Sequence, residues 1–305
     1  CPADISKVND PGLCSAVATF TDPVSNDPGY NEGWESNVYV SGDYIGWSAY
    51  NSNVISVPSG TNGVNSASGS YHGLTQNPVS GQTGVFSRIG GYTSSFGNGY
   101  RVRQSVYMDL NDPAVTANTY GWDLSAASSR QTGGHLRDFI FHTASNSSGE
   151  ILVAGSNNSN PTRRNDLATI NHYTITSSGW YTFEFVFRNN AGALAVDLNL
   201  LDAGGSVLWT ETRYNPADLI STIVGGNRYL WFTFLEVEHL AIDNTSIERK
   251  TSVSPDFASG YAFPKGTTEV TYNSTDACGN TTSCSFDVTV TDTELPIIAC
   301  PANIA

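Results

Sequence analysis

The placement of five cysteines constrains this chain more than any other feature. They stand at positions 1, 14, 278, 284 and 300, and residues 15–277 hold none. No Cys-x-x-Cys or Cys/His spacing suggests zinc. Cysteines gathered near the two ends read instead as two disulfides formed in an oxidising space, plus one thiol belonging to a further unit. The ends also share sequence. Cys300-Pro301-Ala302-Asn303-Ile304 repeats Cys1-Pro2-Ala3-Asp4-Ile5 at four of five positions. A match at that separation predicts one unit of a tandem array. Residues 297–305 are then the start of the next repeat, with Cys300 as its inter-repeat cysteine.

Charged residues make up only 14% of the 305 positions, while glycine and aromatic residues are plentiful. Short polar turns between aromatic-rich strands fit that mixture, so an all-β protein is expected. The net charge of −14 repels phosphate backbones, which argues against nucleic acid as a partner. No run of 18 apolar residues is present, so no membrane span is expected.

Alternation locates the strands. Tyr100–Leu110 alternates, as do Val270–Asn273 and Ser285–Val290. The clearest stretch is Trp180–Asp202. Tyr181, Phe183, Phe185 and Phe187 share one face, Asn189-Asn190-Ala191-Gly192 makes a turn, and Leu194, Val196, Leu198 and Leu200 share one face of the return strand. This predicts a long antiparallel hairpin with one apolar side, a layer of a sandwich. Pro216–Ile223 is the one stretch that reads as a helix.

The two ends together resemble the hyalin repeat (HYR) family. The residues carrying the resemblance are Cys1-Pro2-Ala3-Asp4-Ile5, Cys14-Ser15-Ala16-Val17, Phe263-Pro264-Lys265-Gly266, Asp276-Ala277-Cys278-Gly279-Asn280, Cys284-Ser285-Phe286 and the linker Thr291–Pro296. The resemblance implies a small immunoglobulin-like β-sandwich of secreted and cell-surface proteins. It is discontinuous here, over residues 1–26 and 249–296. It also implies the pairings Cys1–Cys284 and Cys14–Cys278, two bonds of one of the three arrangements four cysteines allow.

Residues 27–248 interrupt that domain and are expected to form a jelly-roll or concanavalin-like sandwich. Ser59-Gly60-Thr61-Asn62-Gly63, Gly179-Trp180-Tyr181-Thr182-Phe183-Glu184 and Ala241-Ile242-Asp243-Asn244 are similar to a lectin-like domain of secreted bacterial proteins. Sugar-binding surfaces use exposed aromatic rings. Trp34, Trp47 and Trp122 lie in polar, loop-like sequence and are the candidates, with Trp180 and Trp231 assigned to the core. Arg163 and Arg164 form a local basic pair suited to an acidic sugar. A structural calcium is expected where the first and last strands of such a sandwich meet, with Asp27, Glu32 and Asp243 as ligands. Glu236 and Glu238 would share one face of a strand, but Leu235-Glu236-Val237-Glu238-His239 lacks the spacing of concanavalin-like glycosidases, so a solvated rim is the reading taken. Five scattered histidines give no HExxH and no readable triad.

The leading expectation is therefore a non-catalytic, extracellular structural or adhesive repeat, with neighbouring copies as partners. The alternative is a polysaccharide-binding insert displayed on an HYR scaffold, and the third is a polysaccharide-active enzyme.

Overall fold

The computed structural model describes the chain apart from residues 24–25, 36–46, 49–52, 79–80, 83, 88–95, 97–98, 133, 159–163, 225–229, 251–252, 276–280, 297 and 299–305. The described strands, in chain order, are β1 (Ile5–Val8), β2 (Ser15–Val17), β3 (Asn26–Glu32), β4 (Trp47–Ser48), β5 (Asn53–Pro58), β6 (Tyr71–Gln76), β7 (Phe86–Ser87), β8 (Tyr100–Met108), β9 (Gly121–Arg130), β10 (His135–Ser145) and β11 (Ile151–Asn157). They continue as β12 (His172–Ile175), β13 (Gly179–Asn190), β14 (Ala193–Leu201), β15 (Val207–Leu219), β16 (Ile223–Val224), β17 (Leu230–Thr233), β18 (Ala241–Lys250), β19 (Val253–Pro255), β20 (Ala262–Pro264), β21 (Gly266–Thr275) and β22 (Thr281–Thr291). The fold is all-β, as the composition requires.

The chain divides into two compact units, Cys1–Asp27 with Thr251–Ala305, and Pro28–Lys250. In the first, a four-stranded sheet runs β1-β22-β21-β19, and β2 pairs with β20 in a second, smaller sheet. β1 lies parallel to β22, with Ile5 opposite Val288. Alternation along β21 and β22 turns Val270, Tyr272, Phe286, Val288 and Val290 inward against Ala16, Ala18 and Phe263. Cys1 is bonded to Cys284, the bond spanning 283 residues of sequence. Cys14 is exposed; its expected partner Cys278, like Cys300, lies outside the described residues.

The second unit is a sandwich of two large sheets. One runs β12-β11-β10-β9-β17-β7-β4, and the other β15-β14-β13-β8-β18-β6-β5. The hairpin read from the sequence is its centre. β13 and β14 pair from Thr182–Leu201 to Asn190–Ala193. Ala191 and Gly192 take φ of 51° and 93° at the turn, both central residues being left-handed as a two-residue hairpin loop demands. Phe183, Phe185 and Phe187 are fully buried and meet Phe139, Phe141 and Trp122 of the opposite sheet edge-on. Ring centroids 4.9–5.5 Å apart in these pairs are the spacing at which the positive ring edge meets the negative face. Gln104 is a buried polar group on this inner face. Its amide donates to the Asp243 carbonyl, and Thr245 donates to its Oε1, so the buried group is matched on both sides. That contact sits where β18 breaks register between Asp243 and Ser246, with Asn244 at φ 48°.

One expectation is corrected here. Pro216–Leu219 continues β15, followed by a 3-10 turn at Ile220–Thr222. Among the described residues the α-helix is instead Pro113–Thr116, capped by Asp112, whose carboxylate accepts from the Ala114 N–H. An Asp before a proline at the first helical position is the signal that marks it.

Gly73 on β6 shows how closely the layers fit. A Cβ there would lie 2.6 Å from the Trp34 ring and 2.9 Å from Ile242. Gly73→Ala should therefore destabilise the protein by about 1–3 kcal/mol through displaced packing. Urea unfolding followed by tryptophan fluorescence would measure it, and an unchanged midpoint would show that the indole moves aside freely.

Candidate binding face

Alternation sends every second residue of the central sheet outward. On β13 these are Trp180, Thr182, Glu184, Val186 and Arg188, the complement of the buried phenylalanine row. Register places Tyr107, Ser105, Arg103 and Arg101 of β8 beside the first four. Leu201, Asn199 and Asp197 of β14 lie on the other side. Ser246 and Glu248 of β18 flank Arg103 and Arg101.

These side chains form a charge-balanced network. Arg103 Nε donates to Glu184 at 2.7 Å, and Arg101 pairs with Glu248. Asn199 donates to Glu184 Oε1, and Thr210 donates to Asn199 Oδ1. Arg188 grips Asp197 with two parallel bonds at 2.6 and 2.9 Å. The guanidinium is held further into its charged range by that pair, first through the hydrogen bond to Asp197. Ser105 and Thr182 share a hydroxyl contact at 3.1 Å.

One cleft opens on this face and a second at its rim, beside the β12–β13 turn. The first, of ≈ 340 Å³, is lined by Arg103, Ser105, Thr182, Asp202, Asn244 and Glu248, among others. The second, of ≈ 310 Å³, is lined by Tyr173, Ser178, Trp180, Tyr181, Asp202 and Leu208, among others. They share Asp202 and Ala203, in the turn joining β14 to β15. Trp180 is half-buried, its indole N–H donating to the Asn65 carbonyl at 2.8 Å. Its ring stands edge-on to Tyr107 and His72. Burial lowers the His72 pKa, so the ring is biased to its neutral form.

The tryptophan assignments from sequence are overturned for the three candidate rings, while Trp180 packs against the small cluster of Val57, Leu74 and Ala241. Trp34, Trp47 and Trp122 are buried to 1%, 0% and 0% exposure. Trp34 stacks on Trp47, Trp47 packs on Phe232, and Trp122 donates to the Tyr120 hydroxyl. Polar neighbours in sequence do not keep a ring wet when its own strand position points inward. Trp180 and Trp231, assigned to the core, sit at outward positions and are half-buried. The period-two count along β13, applied to Trp180 itself, would have found it.

The remaining candidates scatter. Arg163 lies outside the described residues, and Arg164 opens a short 3-10 turn whose first side chains are likewise not described. Arg137 is a buried bidentate partner of Asp218, with bonds of 2.8 and 3.0 Å. β17 ends at Thr233, and Phe234 turns at φ 48°, so Glu236 and Glu238 stand exposed in irregular chain rather than on a strand. Glu236 lines a separate cleft with Tyr120 and Asn146, without Glu238.

No group of three or more His, Cys, Asp or Glu side chains able to hold a metal occurs among the described residues. The Asp27 side chain is not among them. Asp243 is fully buried, with Oδ2 accepting the Ala67 and Ser68 N–H groups and Oδ1 accepting that of Asn244. Glu32 accepts the Trp34 N–H at 2.6 Å. These oxygens are engaged by backbone donors, and the described set alone does not compose a calcium cage.

Burial raises the Asp243 pKa from 3.8 to about 6, against the opposing pull of those N–H donors and with a further push from Glu35. The folded state thus keeps a proton that the unfolded chain has lost. This group's contribution to stability is full below pH 4 and falls as pH rises through about 6. The Asp243 carboxyl carbon should titrate near pH 6 by NMR, and a midpoint near 4 would contradict the burial account.

On the outer face of the other sheet, Ser156 Oγ lies 2.6 Å from His142 Nε2, and Asp123 Oδ1 lies 3.0 Å from His142 Nδ1. Among the described residues neither Asp123 Oδ1 nor His142 Nδ1 makes a hydrogen bond, so that second contact is one of proximity alone. The order of groups is that of an acyl-transfer triad, which sequence spacing did not reveal. Ser156 has no exposure, however, and His142 only 4%. A nucleophile sealed from substrate is a cross-strand bridge. A fluorophosphonate probe should leave Ser156 unlabelled in the folded protein, and labelling seen by mass spectrometry would reverse that assignment.

Residues 234–290 match the HYR domain model. Hyalin of Strongylocentrotus purpuratus is 32% identical over 136 residues, 42% of this chain and 11% of hyalin. The sushi, von Willebrand factor type A, EGF and pentraxin domain-containing protein 1 of Rattus norvegicus is 41% identical over 58 residues, 19% of this chain and 2% of that protein. The chain thus spans about a tenth or less of these relatives. Among solved structures, the CBM2 module of the evolved Dit of Lactobacillus casei BL23 phage J-1 aligns at 12% identity and a TM-score of 0.39, covering 74% of this chain and 97% of that one. The described elements contain no helix long and apolar enough to cross a membrane. Strands β18 to β22 run through the matched segment, and residues 234–290 are the part of this chain that is similar to an HYR domain.

Proposed function

We propose that this protein is a non-catalytic extracellular module of adhesion type, whose small unit is a covalently locked structural joint and whose large unit is the surface it presents. The observation that carries the reading is the Cys1–Cys284 disulfide, which ties the first residue to the last strand of the small unit. Such bonds persist in oxidising, extracellular settings, and the HYR match over residues 234–290 supports the same setting. Neighbouring copies or repeats are the partners this reading names. Negative-stain electron microscopy of native, unreduced material tests it. Rods or filaments with an axial repeat of one two-unit module are expected, and isolated particles would remove the array from the proposal.

The bond's own share is measurable. Cys284→Ser should lower stability by about 2–4 kcal/mol, because the unfolded chain is no longer held in a closed loop. Unfolding with and without reductant should converge for the variant and differ for the parent.

A second reading is favoured by the paired clefts around Asp202. In it the large unit binds a polysaccharide and the HYR unit displays it.

A further inference from the structure

We infer that the two clefts meeting at Asp202 form one elongated site for a neutral, hydroxyl-rich glycan, with Trp180 as its stacking surface and Arg103, Glu248 and Asn244 as its hydroxyl partners. The inference rests on the second reading above and adds the residues and the charge class.

Trp180 is fixed before any ligand arrives. Its N–H is already satisfied by Asn65, and Tyr107 and His72 pack roughly perpendicular to the ring. A half-buried ring that is immobile loses little entropy on contact, which is the condition for a stacking platform. Its polar edge is spent internally, so what it offers a ligand is apolar area, as the C–H face of a pyranose ring requires.

Charge decides the ligand class. Arg101 and Arg103 are balanced by Glu184 and Glu248, and Arg188 by Asp197. Asp202 then tips the shared wall towards negative, in a chain whose net charge is −14. A sulfated or uronic-acid polymer would meet, among the described residues of this face, arginines already matched by carboxylates, and would be repelled at long range. Neutral hydroxyls suit it better. Arg103 Nη1 lies 3.8 Å from Glu248 Oε1, too far for a firm bond between them. A donor and an acceptor at that spacing can engage two adjacent hydroxyls of one sugar, the guanidinium donating and the carboxylate accepting.

Size points to a chain rather than a single ring. Each cleft is at the lower end of the range that ligand sites occupy, about 300–1,000 Å³, and the shared turn makes them consecutive. Stacking at Trp180 and hydrogen bonding at Arg103 and Glu248 would therefore be successive subsites on one oligosaccharide.

Affinity gel electrophoresis of the full chain tests this against neutral polymers (galactomannan, xyloglucan, mixed-linkage β-glucan, starch) and anionic ones (alginate, carrageenan). Retardation by at least one neutral polymer is expected, weakened about tenfold by Trp180→Ala and largely kept by Trp180→Phe. Ser246→Tyr, which fills the polar cleft from a partly exposed strand position, should weaken it too and guards against a misfolded Trp180→Ala. Retardation by anionic polymers alone would overturn the neutral assignment and leave the glycan-binding reading standing. Retardation by none would overturn both. Neutral binding that neither Trp180→Ala nor Ser246→Tyr alters would put the site elsewhere and overturn the inference.

Discussion

The large unit depends on the aromatic layer between its two sheets. Phe183, Phe185 and Phe187 on one strand meet Phe139, Phe141 and Trp122 across the sandwich. Because a strand turns alternate side chains to opposite faces, fixing these rings inward fixes Trp180, Thr182, Glu184 and Arg188 outward with no further choice. A slip of one residue would exchange the two rows, burying three charged or hydroxyl groups and exposing three phenyl rings. The candidate binding face is thus the other side of the core, specified by the same hydrophobic pattern.

Polar groups refine what the apolar layer fixes. Gln104 is buried on the core face and is matched by the Asp243 carbonyl and Thr245. That match holds the register break in β18, beyond which Ser246 and Glu248 come to flank Arg103 and Arg101. An unmatched amide there would cost more than it could return, so the register break and the buried glutamine belong together. In the small unit Tyr272 does a comparable job. It is almost fully buried, and its hydroxyl donates to Asp22 at 2.7 Å; burial, reinforced by that bond and by the charge of Asp22, pushes its pKa up to about 12.

What the sequence made legible was whatever follows from period alone. The β13–β14 hairpin, its turn at Asn189–Gly192 and the all-β class are local consequences of alternation and turn chemistry. The Cys1–Cys284 bond came from likeness to a family, since spacing left three pairings open. The tryptophans were misjudged because wetness was inferred from neighbours along the chain. Trp34 is flanked by glycine and glutamate, yet its ring lies over Gly73 some forty positions away. Burial of that kind is set by strand pairing at long separation, which no local window contains. The clefts at Asp202 are further removed, since they join residues from β8, β13 and β18 with the β14–β15 turn.

The disulfide also settles how the molecule carries load. A pull applied between Cys1 and any residue beyond Cys284 passes through one sulfur–sulfur bond and never enters the intervening chain. The entire large unit, with its face of paired charges, hangs outside the line of tension and keeps its shape while the backbone on either side is strained. Reduction would bring that intervening chain into the line, releasing slack on the order of 1,000 Å if fully drawn out. The same bond that closes a small β-sandwich therefore makes it a taut link with a very long reserve.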